Sequence, residues 1–156
     1  MINKFINFLL TGFYFGKIKY MPGTFGTLVA IPIYYYLLTN NLFLNIAFLL
    51  VFFYISIISL NYSYTEFMFN EVDDKSIVID EIIGYLSFMI FFDATIQNIL
   101  IGFVLFRFFD IFKPFPINLV DKNMKNSFGV MFDDIVAGFY TVITLIIFMI
   151  IKSKFF

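Results

Sequence analysis

Residues 20–65, YMPGTFGTLVAIPIYYYLLTNNLFLNIAFLLVFFYISIISLNYSYT, run for 46 positions without one charged side chain. Thr39-Asn40-Asn41 interrupts the run, which predicts a helical hairpin of Phe25–Leu38 and Leu42–Leu60. The second arm, 19 residues, is long enough to cross a bilayer core. The first, 14 residues, reaches only about 21 Å at ~1.5 Å per residue, against a core of roughly 30 Å. It spans incompletely or leans on its neighbour.

The flanking sequence repeats the pattern on a smaller scale. Residues 61–75 are the most polar stretch, with Glu66, Glu71, Asp73, Asp74 and Lys75. A second apolar pair, Ile82–Phe92 and Ile96–Phe106, is separated by Asp93-Ala94-Thr95. These arms are too short to cross independently, and a re-entrant hairpin or a packed interfacial pair suits them. The segment 107–134 opens on a turn or kink at Pro114 and Pro116 and holds the polar stretch Asp121–Ser127. Ile135–Ile151 is uncharged over 17 residues and ends at Lys152 and Lys154. The first ten residues resemble a weak signal peptide, but the apolar stretch Phe5–Leu10 is short, contains Asn7 and precedes no small-residue cleavage site, so the N-terminus is expected to be retained. The fold class expected is all-α: one domain over 1–156, a compact bundle of apolar helices and helical hairpins, membrane-embedded or membrane-associated.

Composition agrees. Hydrophobic residues make up 62% and charged ones 13%, against roughly 45–50% and about 25% in soluble domains. Some of that excess reflects AT-rich codon usage, since Phe (26) is abundant and His and Trp are absent; segment lengths therefore weigh more than the average. A net charge of −1 without a basic run argues against nucleic acid as a partner. Zero Cys excludes a disulfide framework, a zinc-thiolate site and a redox motif.

Eleven acids occur in the chain, and five of them stand at the edges of apolar segments: Asp80-Glu81, Asp110 and Asp133-Asp134. A buried carboxylate must pair, bind a metal or line a wet cavity. Several on one face suit a hard cation such as Mg²⁺. Arg107, Asp110 and Lys113 follow i, i+3, i+6 spacing and share a helix face, so the cations would grip a phosphate and Asp110 would bind metal. Arg107 is the single arginine of the chain. The plainer readings are dipole-matched capping by the acidic pairs and an ion pair closing a helix before Pro114. Gly138 permits close helix packing a turn beyond Asp134. The Pro22-Gly23-Thr24 turn could present N–H groups and a hydroxyl to an anion.

If both hairpins return to their starting face, residues 16–24, Asp80-Glu81, 107–113 and Asp133-Asp134 converge there. Lys4, Lys17, Lys19, Arg107, Lys113, Lys122 and Lys125 lie on that side, which the positive-inside rule makes cytoplasmic. Without His or Cys, phosphohistidine, phosphocysteine, Cys–His and Ser–His–Asp chemistries are excluded. No Gly-x-x-x-x-Gly-Lys-Ser/Thr loop occurs. Carboxylates, a divalent cation, Lys/Arg and water remain, a set suited to phosphate-ester hydrolysis.

Four motifs in order make the chain resemble the phosphatidylglycerophosphatase A family. They are Pro22-Gly23-Thr24-Phe25-Gly26-Thr27, Ile79-Asp80-Glu81 with Gly84, Phe106-Arg107-Phe108-Phe109-Asp110 through Lys113-Pro114-x-Pro116, and Gly129-Val130-Met131-x-Asp133-Asp134-x-x-Ala137-Gly138. The family usually has Ser where this chain has Thr27, a change that keeps the hydroxyl. The resemblance implies a bacterial cytoplasmic-membrane enzyme, its site on the cytoplasmic face, that hydrolyses the phosphate monoester of phosphatidylglycerophosphate to phosphatidylglycerol and inorganic phosphate with Mg²⁺. It further implies metal or catalytic roles for Asp80, Glu81, Asp110, Asp133 and Asp134, phosphate binding by Arg107 and Lys113, and support from Thr24 and Thr27. Direct attack by water is preferred to an aspartyl-phosphate intermediate. A small cation transporter or channel subunit using boundary carboxylates is the alternative, though it predicts acids in mid-helix. A CDP-alcohol phosphotransferase would carry a longer Asp-Gly…Ala-Arg signature that is missing here, and a structural membrane protein would use its acids as caps alone.

Overall fold

The computed structural model describes residues 1–37, 41–69 and 74–155. The break expected at Thr39-Asn40, the end of the first arm at Leu38, and the acids Glu71 and Asp73 lie outside those residues. Among the described residues all regular elements are helical: α1 (Ile2–Leu10), a 3-10 turn (Phe15–Lys17), α2 (Pro22–Leu37), α3 (Leu42–Thr65), α4 (Ile79–Met89), α5 (Ile96–Phe112), α6 (Ile117–Asn123) and α7 (Ser127–Phe155). The all-α expectation holds.

Several helices are longer than the apolar runs that announced them. α2 begins at Pro22, whose fixed φ and missing N–H suit a first helical position. α3 continues past Leu60 because its polar residues bond back onto the helix: Ser63 Oγ donates to Leu60 O at 2.7 Å and Thr65 Oγ1 to Tyr62 O at 2.8 Å. Its start is capped by Asn41, whose Oδ1 accepts from Phe43 N and Leu44 N. α5 runs on to Phe112, so the turn expected from residue 107 comes only after it. α7 opens at Ser127 and not near Ile135, with Asn126 Oδ1 accepting from Gly129 N at 2.8 Å.

Of the short pair, α4 is enclosed by the bundle, while α5 buries only Gly102 and Phe106. Nine of the eleven residues of α4 are buried, among them Tyr85, Leu86, Phe88 and Met89. α2, α3, α5 and α7 all pack on it, so a helix too short to cross a bilayer becomes the axis of the bundle. Protein surrounds it, and its length need not match lipid. By contrast, α3 and α7 are long and apolar enough to cross a membrane, and most of their surface faces outward, including Leu50, Val51 and Tyr54 on α3 and Ile143, Ile147 and Ile150 on α7.

The crossing of α4 and α7 is set by two glycines. A Cβ on Gly84 would stand 2.8 Å from Asp134 Cβ, and one on Gly138 would stand 2.9 Å from the Gly84 carbonyl oxygen. Contacts advance together along both helices, Gly84 with Asp134 and Gly138 with Ser87. The two therefore run side by side in the same sense, each carrying an acid one turn before its glycine. The consequence is chemical: the first turn of α4 and the third turn of α7 bring their carboxylates to one place. α2 enters at the same end, α5 leaves there, and Ser127 Oγ bonds Asn61 Oδ1 of α3 at 2.5 Å. At the opposite end Lys152 Nζ bonds Gln97 Oε1 at 2.7 Å.

Candidate active site

The four regions expected to converge do so. Gly23, in the first turn of α2, leaves no room for a side chain, because a Cβ there would meet Glu81 Oε1. Asp80 and Glu81 occupy the first turn of α4. One carboxylate oxygen from each of Asp80, Glu81 and Asp134 lies within 4.8 Å of the others. Asp80, Asp133 and Asp134 are all buried. Asp110 lines the same hollow as Asp134.

Capping accounts for little of this. Asp133 and Asp134 sit well inside α7, where Asn126 has already taken the cap, so the expectation that they open the helix is corrected. Asp80 does accept from the N–H of Glu81 at 3.1 Å. That local bond leaves the concentration of acids beside it unexplained.

The predicted Arg107–Asp110–Lys113 face divides in two. Arg107 Nη1 is 2.5 Å from Asp110 and 3.7 Å from Glu81. The same Nη1 meets the Thr27 hydroxyl at 3.5 Å, while Thr27 donates to Gly23 O at 3.0 Å. Thr27 thus steadies the guanidinium, and Thr24 lines the adjoining hollow. Lys113 ends α5 in the left-handed region at φ 41°, which swings its side chain off the helix face. Its Nζ bonds Asp121 and Asp133, each at 2.5 Å. Burial works against the charged ammonium, but the two carboxylates outweigh it and hold Lys113 above its ordinary pKa. The expectation that Asp110 lies between two cations is therefore corrected: helical spacing fails at a residue that leaves the helix.

Asp121 had drawn no functional reading. It lay in a polar stretch, where an acid has no apolar neighbour to make it conspicuous. Lys125, now at the site, was legible only as a basic residue on the converging side, and Lys75 only as part of the polar stretch 61–75.

Two hollows meet at Asp80 and Glu81. The larger, about 460 Å³, is lined by six carboxylates, those of Asp80, Glu81, Asp110, Asp121, Asp133 and Asp134, against two lysines, Lys113 and Lys125. The smaller, about 320 Å³, is lined by Pro22, Gly23 and Thr24 with Lys75 and Arg107. Burial pushes the Glu81 carboxyl up to about 8; Asp134 and Asp110 add to the shift, while a hydrogen bond with Asp80 and the Arg107 charge oppose it. Glu81 Oε2 and Arg107 Nε are buried with no hydrogen-bond partner among the described residues. An all-oxygen donor set, an excess of negative charge and an unsatisfied buried carboxylate oxygen fit a hard divalent cation such as Mg²⁺. The Arg107 guanidinium, which lines the smaller hollow, fits an anion.

Fold and site together define a helical protein with two candidate membrane spans and a carboxylate–arginine centre at one end of the bundle. Residues 8–149 match the family Phosphatidylglycerophosphatase A, and the chain belongs to that family. It is 37% identical over 141 residues to a phosphatidylglycerophosphatase A of Haemophilus influenzae, covering 88% of this chain and 85% of the relative. To the phosphatidylglycerophosphatase A of Escherichia coli it is 36% identical over 138 residues, 83% of this chain and 75% of the relative. A protein of Bacteroides thetaiotaomicron, named provisionally a phosphatidylinositol-3-phosphatase, is 34% identical over 141 residues, 85% of this chain and 86% of that protein. No solved structure matches the chain significantly.

Proposed function

We propose that the protein removes the terminal phosphate of phosphatidylglycerophosphate, releasing phosphatidylglycerol and inorganic phosphate, with Mg²⁺ held by Asp80, Glu81 and Asp134. The observation that carries this reading is the cluster of those three carboxylates beside Arg107, where Gly23 leaves space. Membership of the family supplies the substrate.

Arg107 is oriented by Asp110 and Thr27 and turns its remaining N–H groups to the phosphoryl oxygens. Thr24 and the first turn of α2 complete the anion's surroundings. Lys113, bound to Asp121 and Asp133, fixes the far wall and acts on the phosphate through charge at a distance. Water attacks phosphorus, its proton passes to a carboxylate of the cluster, the P–O bond to the glycerol breaks, and the glycerol oxygen takes up a proton. The metal, when bound, supplies charge neutralisation on the phosphate and lowers the pKa of coordinated water.

The six carboxylates of the larger hollow gather at one end of the bundle, and Asp93 at the other end does not connect them into a path along it, which disfavours the cation-transporter alternative. The test is phosphate release by purified protein in detergent micelles, from phosphatidylglycerophosphate and from phosphatidylinositol-3-phosphate, with Mg²⁺ or with chelator. Release from the former that requires Mg²⁺ is expected. Release only from the inositol lipid overturns the substrate, and release unaffected by chelation overturns the metal. Single turnover in ¹⁸O water should place label directly in phosphate; label appearing first in an Asp carboxylate would replace direct attack with a covalent intermediate.

A further inference from the structure

We propose that Lys75 is a specificity-determining residue that binds the second phosphate of the substrate, the diester joining its glycerol to the diacylglycerol. The inference rests on the functional reading above and extends it to the part of the substrate that does not react.

The smaller hollow carries two cations of different character. Arg107 stands at its inner end, largely buried and tied to Glu81 and Asp110. Lys75 stands in the same lining but is exposed. A lipid with a terminal monoester and an internal diester presents two anionic groups one glycerol unit apart. With the monoester at Arg107 beside the carboxylates, the glycerol extends outward between Thr24 and Ile77, and the diester reaches the rim. Lys75 is the cation of this hollow's lining at that rim. A lysine suits the task, since a flexible stem carrying a compact charge can follow a diester whose position varies with the depth of the lipid.

The backbone that carries Lys75 is held firmly. Asp74 Oδ1 accepts from Ser76 N at 2.9 Å and from Ser76 Oγ at 2.7 Å, and Ile77 N donates to Asp74 O at 2.8 Å. Val78 N donates to Leu10 O at 2.9 Å. Gly16 packs so closely on this turn that a Cβ there would overlap Ser76 O. The attachment point is therefore fixed relative to Asp80 and Glu81, while no ion pair among the described residues holds the exposed ammonium end. That combination distinguishes Lys75 from Lys113, which two carboxylates hold in place.

The experiment compares two lipids that share the reacting monoester: phosphatidylglycerophosphate, which has the diester, and phosphatidic acid, which lacks it. In mixed micelles with Mg²⁺, Lys75→Ala should raise KM for phosphatidylglycerophosphate by about tenfold at unchanged kcat, the signature of lost uniform binding, at the modest end for a charge-assisted hydrogen bond. KM and kcat for phosphatidic acid should stay within about twofold of the parent protein, a shift too small to be a lost interaction. Lys75→Arg should restore KM, and Lys75→Glu should raise it further. An equal loss on both lipids, or no loss on either, overturns the assignment while leaving the phosphatase reading intact. A parent protein inert toward both lipids removes the phosphatase reading and this inference with it.

Discussion

Replacing Gly84 with Ala should damage catalysis far more than stability. The added Cβ would stand 2.8 Å from Asp134 Cβ and 2.9 Å from Phe106 Cζ, where ordinary contact begins near 3.4 Å, so about 0.6 Å must be found. The Phe106 ring can tilt. Asp134 Cβ is fixed to the α7 backbone, so α4 and α7 must part at the turn that carries the acids. Overpacking of this kind costs about 1–3 kcal/mol, offset by about 1 kcal/mol because alanine is the better helix former. The net loss of stability should be about 0–2 kcal/mol. Misplacing catalytic groups by ~1 Å costs on the order of a hundredfold in rate, so a shift of roughly half that should lower turnover about tenfold. Thermal unfolding followed by circular dichroism in detergent measures the first quantity, and phosphate release at saturating lipid and Mg²⁺ the second. Turnover equal to the parent protein, at an unchanged Mg²⁺ requirement, would refute the idea that this crossing sets the spacing of the carboxylates. Gly138→Ala, whose Cβ meets the Gly84 carbonyl at 2.9 Å, should behave alike.

Asp80→Asn, Glu81→Gln and Asp134→Asn should each abolish turnover with helix content preserved, since shape is kept and anionic charge is lost; isothermal titration should show Mg²⁺ binding weakened in all three. Arg107→Lys should recover only part of the activity lost in Arg107→Ala, because the ammonium cannot hold Asp110 and reach the phosphate at once; steady-state kinetics on the pair decides it. Lys113→Ala strands the buried Asp133 and should destabilise the protein by about 2 kcal/mol, with Asp133→Asn in the same chain recovering much of the loss, as read from melting midpoints. Single cysteines at Ser76 and Asn123 should react with an impermeant maleimide in inverted vesicles and stay protected in spheroplasts; the opposite pattern would place the site on the other face of the membrane.

The motifs were legible because their signal is local: an acid beside an apolar run stands out whatever its partner. Asp80, Glu81, Asp110 and Asp134 announce themselves in this way, and Arg107 and Lys113 by their spacing from Asp110. Lys113 and Asp121 do not announce each other. Their pairing depends on one residue adopting φ 41° and on α6 folding back onto α7, neither of which leaves a trace in spacing. The burial of α4 was hidden for a related reason. A short, mostly apolar helix reads alike whether lipid or protein surrounds it, and only the assembled neighbours decide. The early starts of α2 and α7 follow from Pro22 and Asn126, helix-start signals carried by single residues and not by the apolar runs behind them.

Glu81 owes its displaced proton affinity first to its surroundings, since an ordinary glutamate placed in water would be ionised well below neutrality. In a chain without histidine, the acid–base response near neutral pH is consequently a property of the interior and not of composition. A substitution that merely loosens the packing around the first turn of α4, touching no ionisable group, would admit water and draw that affinity back towards normal. Distant packing variants of the metal-free protein would then mimic the removal of a titrating side chain.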